Sequence, residues 1–132
     1  MARKLKVLAV DDEQVILDLV ATILNLNDVE IATAVDGEAG LALAQVMRPD
    51  VVLLDIMMPR MDGYDVCRAL KASDHAPKVV MITAKTSSED ELAALAVGAD
   101  DYIRKPFRPE DILRAVGLEA TRDGEPAAGG SA

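Results

Sequence analysis

The chain has 132 residues, 51% of them apolar and 2% aromatic, with no Trp. This is one domain's length around an aliphatic core, which excludes a chain disordered throughout. A net charge of −9 argues against a surface built for nucleic-acid phosphates, and the single cysteine, Cys67, excludes an internal disulfide or a cysteine zinc cage.

Leu5 to Val10 reads as a first strand. The basic opening before it leads straight into acids, so it is not a signal peptide, and no apolar run is long enough to cross a bilayer. With one cysteine, a cytoplasmic setting is expected. Residues 13–25 carry Val15, Ile16, Leu19, Val20, Ile23 and Leu24 as a stripe at helical spacing. Val29 to Ala34 alternates apolar and polar as a second strand, and Ala39, Ala42, Leu43 and Val46 predict the stripe of a second helix.

Val51 to Leu54 is an unbroken apolar run. A Pro- and Gly-containing loop follows, in which Gly63 serves the turn before a third helix bearing Val66, Cys67 and Leu70. Val79 to Ile82 is a fourth strand. Leu92, Leu95 and Ala96 mark a fourth helix, with Gly98 placed as its C-terminal cap. Tyr102 and Ile103 form a brief fifth strand. Ile112, Leu113 and Val116 mark a last helix, interrupted by Gly117. The domain is read as residues 4–118, and residues 119–132, ending GEPAAGGSA, as a flexible C-terminal tail or truncated linker.

Five successive βα units imply an α/β, doubly wound (βα)5 fold with a five-stranded parallel sheet. Strands buried on both faces read as unbroken apolar runs, whereas edge strands show polar positions. The first, third and fourth strands are therefore central, giving the flavodoxin-like order 2-1-3-4-5.

In such sheets ligands bind beyond the carboxyl ends of the strands. Asp11, Asp12 and Glu13 follow the first strand, Asp55 ends the third, Thr83 and Ala84 end the fourth, and Lys105 and Pro106 follow the fifth. Each piece alone has an ordinary reading: an acidic pair can cap a helix, and Lys-Pro is a common surface dipeptide. Together they converge on one rim. Clustered carboxylates raise one another's pKa unless positive charge relieves them, and a hard cation such as Mg²⁺ does so. Lys105 adds a second positive charge and Thr83 a hydroxyl donor. The set suits phosphoryl transfer to Asp55 as nucleophile.

The stretches VLAVDDE, PDVVLLDIMMPRMDGYDVCRALK, VVMITA and GADDYIRKPF resemble the signature segments of response regulator receiver domains, over about residues 4 to 117. The resemblance implies Mg²⁺, or Mn²⁺, on Asp11, Asp12 and Asp55, with Asp12 as direct ligand, Asp11 through water, and the Met57 backbone carbonyl completing the protein set. It makes Asp55 the phosphoacceptor, Lys105 and Thr83 its catalytic helpers, Thr83 and Tyr102 the switch pair, and Lys105–Pro106 a cis peptide. Met57 and Lys85 flank the site. Met58 and Cys67 are read as core side chains and His75 as an exposed loop residue.

The implied function is a phosphorylation-dependent switch of a two-component or phosphorelay system. A sensor histidine kinase or histidine phosphotransfer protein donates to Asp55. In the resting state Thr83 and Tyr102 point away from the acceptor; phosphorylation draws them inward and alters the face of the fourth helix, fifth strand and fifth helix. The expected output is a downstream protein or an effector domain outside the chain, with no direct nucleic-acid or membrane contact and with scope for a phosphorylation-dependent dimer. No enzymatic activity beyond its own phosphorylation and dephosphorylation is expected. The alternatives are a phosphorylation-independent binding module and a haloacid dehalogenase-like phosphatase. The latter would carry Asp-x-Asp after its first strand, not adjacent acids. A nucleotide or flavin site would need glycines that VDDEQV lacks.

Overall fold

The structure, a computed structural model, describes residues 4–85 and 87–118; the stretch read as a tail, 119–132, lies outside them. Its elements alternate in chain order: β1 (Lys6–Val10), α1 (Gln14–Asn25), β2 (Glu30–Ala34), α2 (Gly37–Met47), β3 (Val51–Leu54), α3 (Gly63–Lys71), β4 (Lys78–Thr83), α4 (Ser88–Ala96), β5 (Asp101–Arg104) and α5 (Pro109–Ala115). All strand pairings are parallel, in the order β2-β1-β3-β4-β5.

The period of two along each strand divides the core into halves. Val7, Ala9, Leu53, Val80 and Ile82 face α1 and α5, where they meet Leu17, Val20, Leu24, Ile112 and Val116. Leu8, Val10, Val52, Leu54, Val79 and Met81 face the opposite layer and meet Val66, Cys67, Leu70 and Ala94. Burial on both faces is why these strands carry almost no polar residue.

Helix phase is where sequence and structure part. Residues 15–24 are apolar at most positions, so periodicity leaves the inward face open. The structure buries Leu17, Val20, Ile23 and Leu24, while Val15 and Leu19 face solvent. Helix α2 turns further from expectation. Ala39, Ala42 and Val46 are exposed, Leu43 is half-buried, and the inward residues are Gly37 and Gly40. Close approach selects that face: a Cβ at Gly40 would stand 2.8 Å from Val10 Cγ2, and one at Gly37 2.8 Å from Val66 Cγ2. In α4 the stripe Leu92, Leu95 and Ala96 is exposed, and the small Ala94 packs inward. The faces of α3 and α5 are as expected.

Gly98 has φ +101 and closes α4: its N–H donates to the Leu95 carbonyl and that of Ala99 to the Ala94 carbonyl. This is the paired bonding of a Schellman stop. Gly117, with φ +93, ends α5 in the same way through Arg114 and Leu113, so it terminates the helix and does not interrupt it. At the opposite rim from the strand carboxyl ends, three lysines donate to backbone carbonyls: Lys6 to Met47, Lys71 to Pro77 and Lys78 to Ala115. Lys71 also pairs with Asp100 at 2.6 Å.

Candidate functional site

Parallel pairing in register brings the carboxyl ends of β1, β3, β4 and β5 level. Backbone bonds hold the residues just beyond them in line: Asp11 N–H to the Ala34 carbonyl, Asp55 N–H to Val10, and Lys105 N–H to Thr83. Asp11, Asp55 and Thr83 are the buried polar residues among those described. Asp12 is exposed beside them. One carboxylate oxygen from each of Asp11, Asp12 and Asp55 lies within 4.8 Å of the others. This all-oxygen donor set fits a hard divalent cation that keeps several waters.

Lys105 Nζ stands 2.9 Å from Asp11 Oδ2, 3.1 Å from Glu13 Oε1 and 3.6 Å from Asp55 Oδ2. Burial lowers the affinity of the Lys105 amine for its proton. The hydrogen bond to Asp11 and the Asp55 charge more than offset this, and the ammonium is held above its ordinary value. Asp55 is pushed up to about 6, by burial first and then by the Asp11 charge; Lys105 and the N–H of Met57 oppose the rise. Burial also raises Asp11, against the N–H of Glu13 and the Lys105 ammonium. One ammonium is thus shared by three acids, Asp11, Glu13 and Asp55, and does not fully offset the burial that raises Asp55.

Local chain geometry explains these placements. Asp11 Oδ1 accepts the Glu13 N–H at 2.9 Å, folding the β1–α1 turn. Neither member of the Asp pair caps α1: its N-cap is Glu13, which makes no side-chain cap bond. The Met57 N–H reaches Asp55 Oδ1 at 3.4 Å; the Met57 side chain is exposed while Met58 is buried. Gly63 has no positive φ, so the turn does not explain it. A Cβ there would collide with the Asp55 carbonyl oxygen and stand 2.7 Å from Ile56 Cα. Its absent side chain lets the start of α3 rest directly on the backbone of Asp55 and Ile56.

Thr83 is fully buried, and its Oγ1 accepts the Lys85 N–H at 3.3 Å. Tyr102 is half-buried, packed on the core, and donates its hydroxyl to the Lys85 carbonyl at 3.0 Å. The ring covers apolar surface and its hydroxyl finds an acceptor on the β4–α4 loop, which favours this position over a solvated one. Lys105–Pro106 is cis. His75 is exposed and Cys67 buried, its thiol pushed up to about 11, chiefly by burial. One residue not assigned a role from sequence joins the site. Glu13 belongs to the Lys105 cluster; its place directly after the acidic pair was the available signal. Tyr64 reaches the Asp90 carbonyl at 3.4 Å from α3, and no sequence spacing foretold it.

A flavodoxin-like sheet with an acidic trio and a lysine at its carboxyl rim places the chain in the receiver class of α/β domains. The chain belongs to the response regulator receiver domain family, whose profile matches residues 7–117. It is 42% identical over 123 residues to the DNA-binding response regulator MtrA of Mycobacterium leprae, covering 92% of this chain and 54% of that protein. It is 43% identical over 107 residues to the probable transcriptional regulatory protein TcrX of Mycobacterium tuberculosis, covering 81% and 46%. The chain therefore spans about half the length of the curated relatives it matches. Among solved structures, chemotaxis protein CheY4 of Vibrio cholerae superposes with a TM-score of 0.83 at 37% identity, covering 86% of this chain and 97% of that one. A chain of the CheX-CheY-BeF3-Mg+2 complex of Borrelia burgdorferi gives 0.80 at 30%, covering 85% and 86%. No helix among the described residues is long and apolar enough to cross a membrane.

Proposed function

We propose that this receiver domain is a phosphorylation-dependent switch of a two-component or phosphorelay pathway, with Asp55 as acceptor. The observation that carries the reading is the shared rim: Asp55, buried and 3.6 Å from Lys105, beside Asp11 and Asp12 from another strand end. An Asp55 carboxylate oxygen attacks phosphorus; the new P–O bond forms as the P–N bond of the donor's phosphohistidine breaks, and the imidazole leaves with that electron pair. Lys105 neutralises charge on the transferring group. Asp11, Asp12, Asp55 and the Met57 carbonyl are the groups that would hold Mg²⁺ or Mn²⁺, which when bound supplies further charge neutralisation at the phosphoryl oxygens.

Thr83 offers its hydroxyl to the phosphoryl, giving up the Lys85 N–H, and the loop at Lys85 moves with it. Tyr102 is tied to that loop through the Lys85 carbonyl. Its hydrogen bond therefore reports the acceptor's state to the face of α4, β5 and α5, where Leu92 and Leu95 are exposed. The donor is a sensor histidine kinase or histidine phosphotransfer protein, and the chain acts on no substrate but itself. Its setting is cytoplasmic. Its output passes through protein contact, either to a separate target, to a second copy or to an effector domain outside the stretch. The stretch itself, at a net charge of −9, makes no direct nucleic-acid contact.

The test is incubation with acetyl phosphate and Mg²⁺ followed by intact-mass measurement of wild type and Asp55→Asn. One Mg²⁺-dependent phosphoryl on wild type and none on the variant is expected. No adduct on wild type would favour the phosphorylation-independent module, and repeated turnover of phosphate esters would favour a phosphatase.

A further inference from the structure

Lys105 does not sit on the acceptor. Its ammonium has three donors, and two are committed to acids of the β1–α1 turn, Asp11 at 2.9 Å and Glu13 at 3.1 Å. Asp55, at 3.6 Å, lies beyond hydrogen-bond reach. Glu13 is an unusual neighbour in two respects. It occupies the N-cap of α1, where a side chain ordinarily folds back onto the helix, yet it makes no cap bond and its carboxylate extends to Lys105 instead. It also stands outside the three-aspartate cluster, Asp11, Asp12 and Asp55. A cation in that cluster would draw on Asp11 and Asp55 and leave the hold of Glu13 on Lys105 in place.

We propose that Glu13 is a positioning residue, acting through Lys105: it restrains the ammonium from Asp55 and so sets how fast the acceptor is phosphorylated. This rests on Asp55 as the acceptor. With two donors held by Asp11 and Glu13, Lys105 turns onto a phosphoryl group on Asp55 against the pull of Glu13. The Glu13 side chain is 58% exposed, so the restraint is weak and screened by salt. It trims the rate and does not lock the site.

The test uses the full 132-residue chain. Glu13→Gln keeps the size and polarity of the side chain and removes its charge. The expected result is a rise of about two- to five-fold in the maximal rate of Mg²⁺-dependent phosphorylation by acetyl phosphate, the range an exposed ion pair controls. The half-saturating acetyl phosphate concentration should not change, and the gap should narrow as salt is raised. In a Lys105→Met background the same substitution should do nothing. Independently of phosphorylation, the side-chain NMR resonance of Lys105 in the metal-free protein should shift on Glu13→Gln. A slower or unchanged rate overturns the proposal, as does an effect that persists without Lys105, which would mean that Glu13 acts by general charge on the anionic donor. A stationary Lys105 resonance also overturns it. Retention of the phosphoryl by Asp55→Asn would instead overturn the acceptor assignment, and the two failures are distinct.

Discussion

Replacing Asp55 with Asn should make the metal-free protein more stable near neutral pH. The native carboxyl is raised from the ordinary 3.8 to about 6 by burial and by Asp11, with Lys105 giving partial relief. A group raised in this way holds its proton more tightly folded than unfolded. Its contribution to stability is complete below the unfolded value of 3.8 and is lost as pH rises through about 6. Near pH 7.5 the ionised acceptor then destabilises the fold by up to about 3 kcal/mol, at about 1.4 kcal/mol per pH unit. Water reaching the open rim reduces this to roughly 2 kcal/mol. Asn keeps the shape, and its amide oxygen can still accept the Met57 N–H, without the charge. Urea denaturation in a chelator, followed by far-UV circular dichroism, measures the difference. The wild-type midpoint should fall between about pH 4 and about pH 7 while that of the variant changes less, so the curves converge toward about pH 4. Saturating Mg²⁺ should stabilise wild type and scarcely move the variant. If Asp55→Asn is the less stable protein near neutral pH without metal, the electrostatic account of the acceptor is wrong.

Three further substitutions probe the surrounding parts. Lys105→Met leaves buried acids without their cation and should cost roughly 1–3 kcal/mol near neutral pH, shrinking as the solution is acidified, by the same denaturation measurement. Gly63→Ala drives a methyl into the backbone of Asp55 and Ile56; a loss of about 1–3 kcal/mol is expected, with weaker Mg²⁺ binding by calorimetry. Tyr102→Phe keeps the ring and removes the bond to the Lys85 carbonyl. A loss of about 1 kcal/mol should come with faster amide exchange around Lys85 and unchanged exchange in β1 and β3.

The strand ends were legible because a doubly buried parallel strand is written as an apolar run and stops where polarity returns. The residue pattern alone therefore places Asp55 after Val51–Leu54, and Thr83 at the end of β4, on one rim. Helix faces were less legible. In α1 and α2 both faces are apolar enough to be buried, and the choice fell to steric fit: Gly40 against Val10, Leu17 against the core. The same reason hid the role of Gly63, since close approach leaves no mark in sequence beyond the glycine itself. The neighbours of Asp55 were readable as residue types. Which acids Lys105 would bond, and at which distance, depended on the turn that Asp11 folds around the Glu13 N–H. The position of Tyr102 depended on a carbonyl that only the folded β4–α4 loop presents.

The three lysines at the far rim give the molecule two mechanically different ends. Lys6, Lys71 and Lys78 each rivet a backbone carbonyl, at the close of α2, just before β4 and at the close of α5. The acidic rim is joined instead by charges whose balance shifts with a proton, a cation or a phosphoryl. Rearrangement there can proceed as a local opening of the loops while the strand-start end stays in register. On the proposed reading, a phosphoryl on Asp55 would be felt first in the loops at the tip, over a base held by these three bonds.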